Sequence, residues 1–138
     1  MKHSPAFLKL VDRRRKKVRE TNPKTVKRRM DNGDDFILVD IREESEWAAG
    51  RLPNSIYLGK GIIERDIENS VPDKESEIIL YCGGGFRSVL AADNLRLMGY
   101  KNVLSMDGGW REWIKLGYPI VGGKAAKKKE STVKKRKS

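Results

Sequence analysis

A chain of 138 residues is long enough to bury the core of one domain, and no stretch of it approaches the ~18 apolar residues of a membrane span. Its 30 Lys and Arg against 19 Asp and Glu give a formal charge of +11, but residues 1–29 carry +10, residues 124–138 carry +7 and residues 30–123 carry −6. The basicity therefore belongs to the extensions, so a whole-chain charge argument for nucleic-acid binding fails; what remains is a weak, salt-sensitive contact of the basic tails with nucleic acid or an acidic partner. One cysteine forms no internal disulfide. Lys9 interrupts Ala6-Phe7-Leu8 before an apolar leader core develops, so the expected compartment is the cytoplasm.

Ser4-Pro5 reads as a helix opening, an N-cap followed by Pro at the first helical position. Phe7, Leu8, Val11 and Val18 recur near helical spacing, with Arg13 to Lys17 expected on the exposed side and strand character returning near Val18. Asn22-Pro23 repeats the cap logic and opens a helix through Met30 that stops at Asn32-Gly33. Phe36 to Asp40 is a short buried strand. Glu43 to Ala49 suits a helix with acids in its first turn, which the macrodipole favours, and Gly50 and Pro53 end it.

Ser55 to Leu58 is a second short strand, and Gly61 to Ile67 is helical with Ile62, Ile63 and Ile67 on one face. Glu77 to Tyr81 is the next strand. A helix from Ser88 to Met98 follows, closed by Gly99. Lys101 to Ser105 gives another strand, and Trp110, Trp113, Ile114 and Leu116 form the apolar side of a final helix ending at Gly117. Trp47, Trp110 and Trp113 read as core. From Gly122 onward Lys, Ser, Ala and Gly dominate, and the segment 122–138 reads as a disordered basic tail. Short strands alternating with helices predict an α/β domain: a mostly parallel sheet with helices on both faces, over 21–121, behind a basic helical extension of residues 1–20.

The chemistry concentrates at Cys82. A buried strand ends there, three glycines follow, and a helix begins. Such a turn points backbone N–H groups into one concavity, and Gly supplies the backbone conformations it needs. The helix dipole, the N–H groups of Gly83, Gly84, Gly85, Phe86 and Arg87, and the Arg87 guanidinium all favour thiolate over thiol, and thiolate is the nucleophile. Ser88 either turns its hydroxyl into this cradle or caps the helix. His3, the only histidine, reads as a solvated terminal residue, so no Cys–His dyad is expected. No metal and no cofactor is implied.

The loop resembles the active-site loop of the rhodanese-like sulfurtransferases. Three further segments fit that family in order. Leu38-Val39-Asp40-Ile41-Arg42, followed by Glu46-Trp47, looks like its Asp-x-Arg signature. Gly50-Arg51-Leu52-Pro53-Asn54-Ser55-Ile56 looks like the segment usually written Gly-His-Ile-Pro-Gly-Ala, with Arg51 in place of His and Asn54-Ser55 in place of Gly-Ala. Met106-Asp107-Gly108-Gly109-Trp110 looks like its late Gly-Gly signature. The resemblance implies a rhodanese-like fold and a sulfurtransferase. Cys82 would hold sulfane sulfur as a persulfide, residues Gly83 to Ser88 would bind a small anionic donor such as thiosulfate, and Asp40 would stand near the loop. Asp40 either orients the loop or supports the fold, and Arg42 makes a structural ion pair. The acceptor would be a thiol or a protein. Two other readings remain at this point. Cysteine phosphatases and arsenate reductases use a similar cradle, but such phosphatases place Arg six positions after Cys where Arg87 is five after Cys82, and no second Cys resolves an arsenate adduct. A non-catalytic binding module on the same scaffold would more typically have lost the cysteine.

Overall fold

The computed structural model describes residues 3–122, and the basic segment 124–138, with its expected disorder, lies outside the described residues. The chain runs α1 (Pro5–Arg15), β1 (Arg19–Thr21), α2 (Pro23–Asp31), β2 (Ile37–Asp40), α3 (Glu44–Ala49), β3 (Ile56–Tyr57), α4 (Ile63–Ser70), β4 (Glu77–Tyr81), α5 (Arg87–Leu97), β5 (Asn102–Met106) and α6 (Gly109–Lys115). The two Pro-marked caps form as their residue types dictate. Ser4 Oγ accepts the Phe7 N–H at 3.4 Å and Asn22 Oδ1 accepts the Thr25 N–H at 2.9 Å, each with Pro behind it.

The five strands form one parallel sheet in the order β1-β5-β4-β2-β3. Alternation along β4 explains why the sheet is covered on both faces. Ile78, Leu80 and Cys82 join Val39, Ile63, Ile67, Ala91 and Leu95 in one core cluster, under α4 and α5. Ile79 and Tyr81 point the other way, into a second cluster with Val26, Leu52, Met106 and Trp113, under α2 and α6. A parallel sheet of this kind buries both faces, so its central strand is apolar at nearly every position.

The residues before Thr21 take part in this arrangement. Helix α1 packs on α5, with Val11 fully buried, and β1 pairs with β5 as Arg19 opposite Leu104 and Thr21 opposite Met106. The basic run is less exposed than its composition predicts. Arg14 donates to Asp93 Oδ2 at 2.9 Å and to Asn94 Oδ1 at 3.2 Å, and Arg15 lies 3.3 Å from Glu20. Asp93 is almost wholly buried and accepts from Arg96 as well, at 2.7 Å, so two guanidinium groups satisfy its oxygens there.

Helix α5 opens at Arg87, after Phe86, one residue earlier than expected. Ser88 is therefore inside the first turn and is not the cap. Strands β2 and β4 are neighbours whose following connections lead to opposite sides of the sheet, β2 to β3 and β4 to β5. A crevice opens outside the carboxyl ends of two such strands. Cys82 follows β4 at that point and Arg42 follows β2.

Candidate active site

Cys82 is 1% exposed at the carboxyl end of β4. Its Sγ accepts the Gly85 N–H at 3.2 Å, and the thiol faces Ser88 Oγ at 3.6 Å. Ser88 Oγ is in turn 2.6 Å from Ser105 Oγ, which fixes the hydroxyl against the sulfur and ties α5 to β5. The chain thus brings Ser88 to the sulfur by a buried hydroxyl pair rather than by capping.

The loop is held from behind by α6. Trp110 donates its N–H to the Cys82 carbonyl at 2.8 Å and Arg111 to the Gly83 carbonyl at 3.0 Å. This contact is what the late Gly-Gly pair is for. Gly109 has φ +51°, and a Cβ on it would collide with the Cys82 carbonyl oxygen and lie 3.1 Å from the Gly83 carbonyl carbon. Any side chain at Gly109 would push α6 off the loop.

Arg87 and Arg111 lie over the loop. A Cβ built on Gly83 would stand 3.2 Å from Arg87 Nη2, and one built on Gly84 would stand 3.0 Å from Arg111 Nη1. The glycines therefore let two guanidinium groups approach the backbone beside the sulfur. The loop's own cation is Arg87, and sequence reading missed the second. Arg111 is the second residue after Gly109, in the first turn of a helix whose start docks on the cysteine loop, and that position was the available signal. Arg87 Nη1 is 3.4 Å from Glu46 Oε1, and Arg111 makes no ion pair with any described residue. Burial works against the charge on Glu46, but the Glu43 N–H and the charge of Arg87 outweigh it and hold the carboxyl below its usual range.

Asp40 and Arg42 do come near the loop, as a closed pair. Arg42 Nη2 is 2.7 Å from Asp40 Oδ2, and Asp40 Oδ1 also accepts the Arg42 backbone N–H at 2.9 Å. Arg42 further donates to the Gly50 carbonyl at 2.6 Å and lies 4.2 Å from the Trp110 ring centroid. Through these contacts it joins β2, the end of α3 and the start of α6. Trp113 is fully buried, whereas Trp47 and Trp110 are half-buried and carry Arg51 and Arg42 on their faces. In the turn after Gly50, Asn54 takes φ +62°, a conformation Asn tolerates better than most residues, which accounts for Asn standing where Gly is usual. Leu52 donates its N–H to the Tyr81 hydroxyl at 3.1 Å and so ties this turn to the strand that carries the cysteine.

A cavity of about 410 Å³ opens over the sulfur, lined by His3, Phe7, Glu46, Cys82, Gly84, Phe86, Arg87 and Arg111. His3 is thus not a solvated terminal residue. Its ring lies 4.6 Å from the Phe86 ring and 5.2 Å from the Phe7 ring, because α1 docks on α5 and carries its own start to the mouth of the site.

The model of the rhodanese-like domain matches residues 22–116. The chain belongs to the rhodanese-like family. Among its relatives, a sulfurtransferase of Allochromatium vinosum is 35% identical over 104 residues, covering 75% of this chain and 95% of the relative. The thiosulfate sulfurtransferase GlpE of Coxiella burnetii is 28% identical over 79 residues, covering 57% of this chain and 72% of the relative. Among solved structures, a Rhodopseudomonas palustris protein of unknown function, described as a possible tyrosine phosphatase, superposes with a TM-score of 0.75 at 26% identity over 87% of this chain and 97% of its own. At the level of the family these relatives support a sulfurtransferase. Among the described residues of this rhodanese-like chain no helix is long and apolar enough to cross a membrane, and no group of three or more His, Cys, Asp or Glu side chains is placed to hold a metal ion.

Proposed function

We propose that this rhodanese-like protein transfers sulfane sulfur from thiosulfate to a thiophilic acceptor through a persulfide on Cys82. The observation that carries the reading is the position of Sγ. It lies at the base of a cavity lined by Arg87 and Arg111, with the Gly85 N–H donated to it at 3.2 Å. In the first half-reaction the Cys82 thiolate attacks the outer sulfur of thiosulfate. A Cys–S bond forms, the S–S bond of the donor breaks, and sulfite leaves with the electron pair. The product Cys82–S–S⁻ keeps one negative charge, and the two arginines lining the cavity together with the Gly85 N–H would stabilise it and the departing dianion. In the second half-reaction an acceptor thiolate, or cyanide in an assay, attacks the terminal sulfur and releases the Cys82 thiolate. Neither step needs a proton donor, and in the cavity lining two arginines stand against one carboxylate, Glu46. Ser88 supports the sulfur from the side through its bond to Ser105, and Asp40 and Arg42 hold the neighbouring strand end in place.

The purified protein is expected to form thiocyanate and sulfite from thiosulfate and cyanide, and Cys82→Ser is expected to abolish this, since a serine hydroxyl cannot carry sulfane sulfur. Undiminished turnover in Cys82→Ser would overturn the assignment. Hydrolysis of para-nitrophenyl phosphate, without thiocyanate formation, would favour the phosphatase reading that the Rhodopseudomonas palustris neighbour's description suggests.

A further inference from the structure

The cavity over Cys82 has two unlike sides. One is charged and net cationic, with Arg87, its partner Glu46 and Arg111 near the sulfur, and the other is aromatic, built from His3, Phe7 and Phe86. The three rings form one cluster, with centroids 4.6 Å apart for His3–Phe86, 5.2 Å for His3–Phe7 and 6.3 Å for Phe7–Phe86. Arg15 lies over the Phe86 ring at 5.6 Å and, through Glu20 at 3.3 Å, ties that ring to the junction of α1 and β1. Two members of the wall, His3 and Phe7, precede the matched family domain at 22–116. Two of the wall's three rings therefore come from the N-terminal segment, outside the matched domain, and the third, Phe86, comes from within it.

Size points the same way. At about 30 Å³ per water, a 410 Å³ cavity holds the equivalent of more than a dozen waters. Thiosulfate has five heavy atoms and no apolar surface to set against aromatic rings. Resting on the sulfurtransferase reading above, we propose that His3, Phe7 and Phe86 form a specificity wall for organic sulfane-sulfur donors, in which an anionic sulfur head meets the arginines and an apolar body lies against the rings. Phe86 sits between the two sides and connects them, since it precedes Arg87 at the start of α5. The transfer keeps the same balance. An organic thiosulfonate R–SO₂–S⁻ gives its outer sulfur to the Cys82 thiolate, the S–S bond breaks, and the sulfinate R–SO₂⁻ leaves with the electron pair.

The test compares benzenethiosulfonate with methanethiosulfonate, which share the reacting head and its charge and differ in the body. In a ping-pong scheme kcat/KM for the donor reports the first half-reaction alone, so cyanide serves as acceptor throughout. The full-length protein is expected to favour the phenyl donor, and Phe7→Ala and His3→Ala are each expected to lower the phenyl-to-methyl ratio of kcat/KM by roughly three- to tenfold, the range for an aromatic contact. Leu8→Ala, on the same helix and 37% exposed outside the cavity, is expected to leave the ratio unchanged. His3 precedes α1, so its replacement tests the wall without threatening the helix. A ratio that stays at the wild-type value in both variants, or that falls equally in Leu8→Ala, would overturn the specificity wall. Transfer from neither donor, nor from thiosulfate, would overturn the sulfurtransferase reading beneath it.

Discussion

Two ion pairs stand near the carboxyl edge of the sheet, and their surroundings differ. In Asp40–Arg42 the side chains are 0% and 2% exposed, whereas in Glu46–Arg87 they are 38% and 31% exposed. Water can replace either partner of the second pair but not of the first. Arg42 is further committed to the Gly50 carbonyl and the Trp110 face, so leaving Asp40 for a substrate would strand a charge in the interior. Arg87 has one weakly held carboxylate at 3.4 Å and a cavity beside it. The two arginines therefore differ in commitment: Arg42, after β2, is tied to its neighbours on every side, and Arg87, at the start of α5, borders the cavity with one exposed carboxylate as its partner.

The largest expected effect breaks the buried pair. Arg42→Ala leaves Asp40 buried without its partner and is expected to cost about 3–5 kcal/mol of stability, read as a lowered midpoint in urea. A loss below about 1 kcal/mol, the range of exposed pairs, would show that water reaches Asp40 and that the contrast between the pairs is overstated.

The second expectation concerns kinetics rather than folding. Arg87→Ala is expected to raise KM for thiosulfate about tenfold or more, because it removes a cation and unmasks Glu46, while the urea midpoint stays close to wild type. Arg87→Lys is expected to lose less, since it keeps the charge but not the planar fork. Adding Glu46→Gln to Arg87→Ala is expected to recover part of the loss, and Glu46→Gln alone to lower KM two- to threefold, roughly the strength of an exposed pair. A KM unchanged in Arg87→Ala would mean that Arg87 stays with Glu46 when the donor binds.

The smallest effect uses a third pair, far from the sulfur. Arg29 makes a two-pronged contact with Glu77 at 2.6 and 2.7 Å, and that bond holds the Glu77 carboxyl below its ordinary value of 4.5. A carboxyl whose folded value is depressed contributes stability above its unfolded value and loses it as pH falls through the folded one. Glu77→Gln is therefore expected to cost about 1 kcal/mol near neutral pH, with the gap to wild type closing as pH falls below 4.5. A gap that does not change with pH would assign the loss to packing. This pair should leave KM unaffected, which makes it the control for the other two.

The parts of the molecule that follow local rules were legible from the sequence. The Ser4-Pro5 and Asn22-Pro23 caps, the apolar run Ile78 to Tyr81 and the Gly-rich turn after it each carry their cause within a few residues. Strand β1 was legible only as vague strand character, because Arg19-Glu20-Thr21 has no apolar alternation and is a strand by virtue of pairing with β5. The half-burial of Arg14 and Arg15 was hidden for the same reason, since Asp93 and Glu20 become their partners only after α1 docks. His3 followed from that docking, and a one-dimensional reading placed it in solvent. The start of α5 was off by one residue because Ser88, a good cap by type, is bonded to Ser105, whose position depends on β5. Arg111 and Glu46 reached the cavity through tertiary placement as well, one on α6 and the other on α3.

The central claim is that Cys82 carries sulfur on an anion site made by the loop and two arginines. Mass spectrometry of the intact protein and of its Cys82 peptide, after exposure to thiosulfate without an acceptor, tests it most directly. The expected result is a gain of one sulfur atom on the peptide containing Cys82, lost again on adding cyanide, absent in Cys82→Ser and reduced in Arg87→Ala at limiting thiosulfate. A peptide that gains no sulfur while the protein still forms thiocyanate, or a gain that survives in Cys82→Ser, would contradict the account.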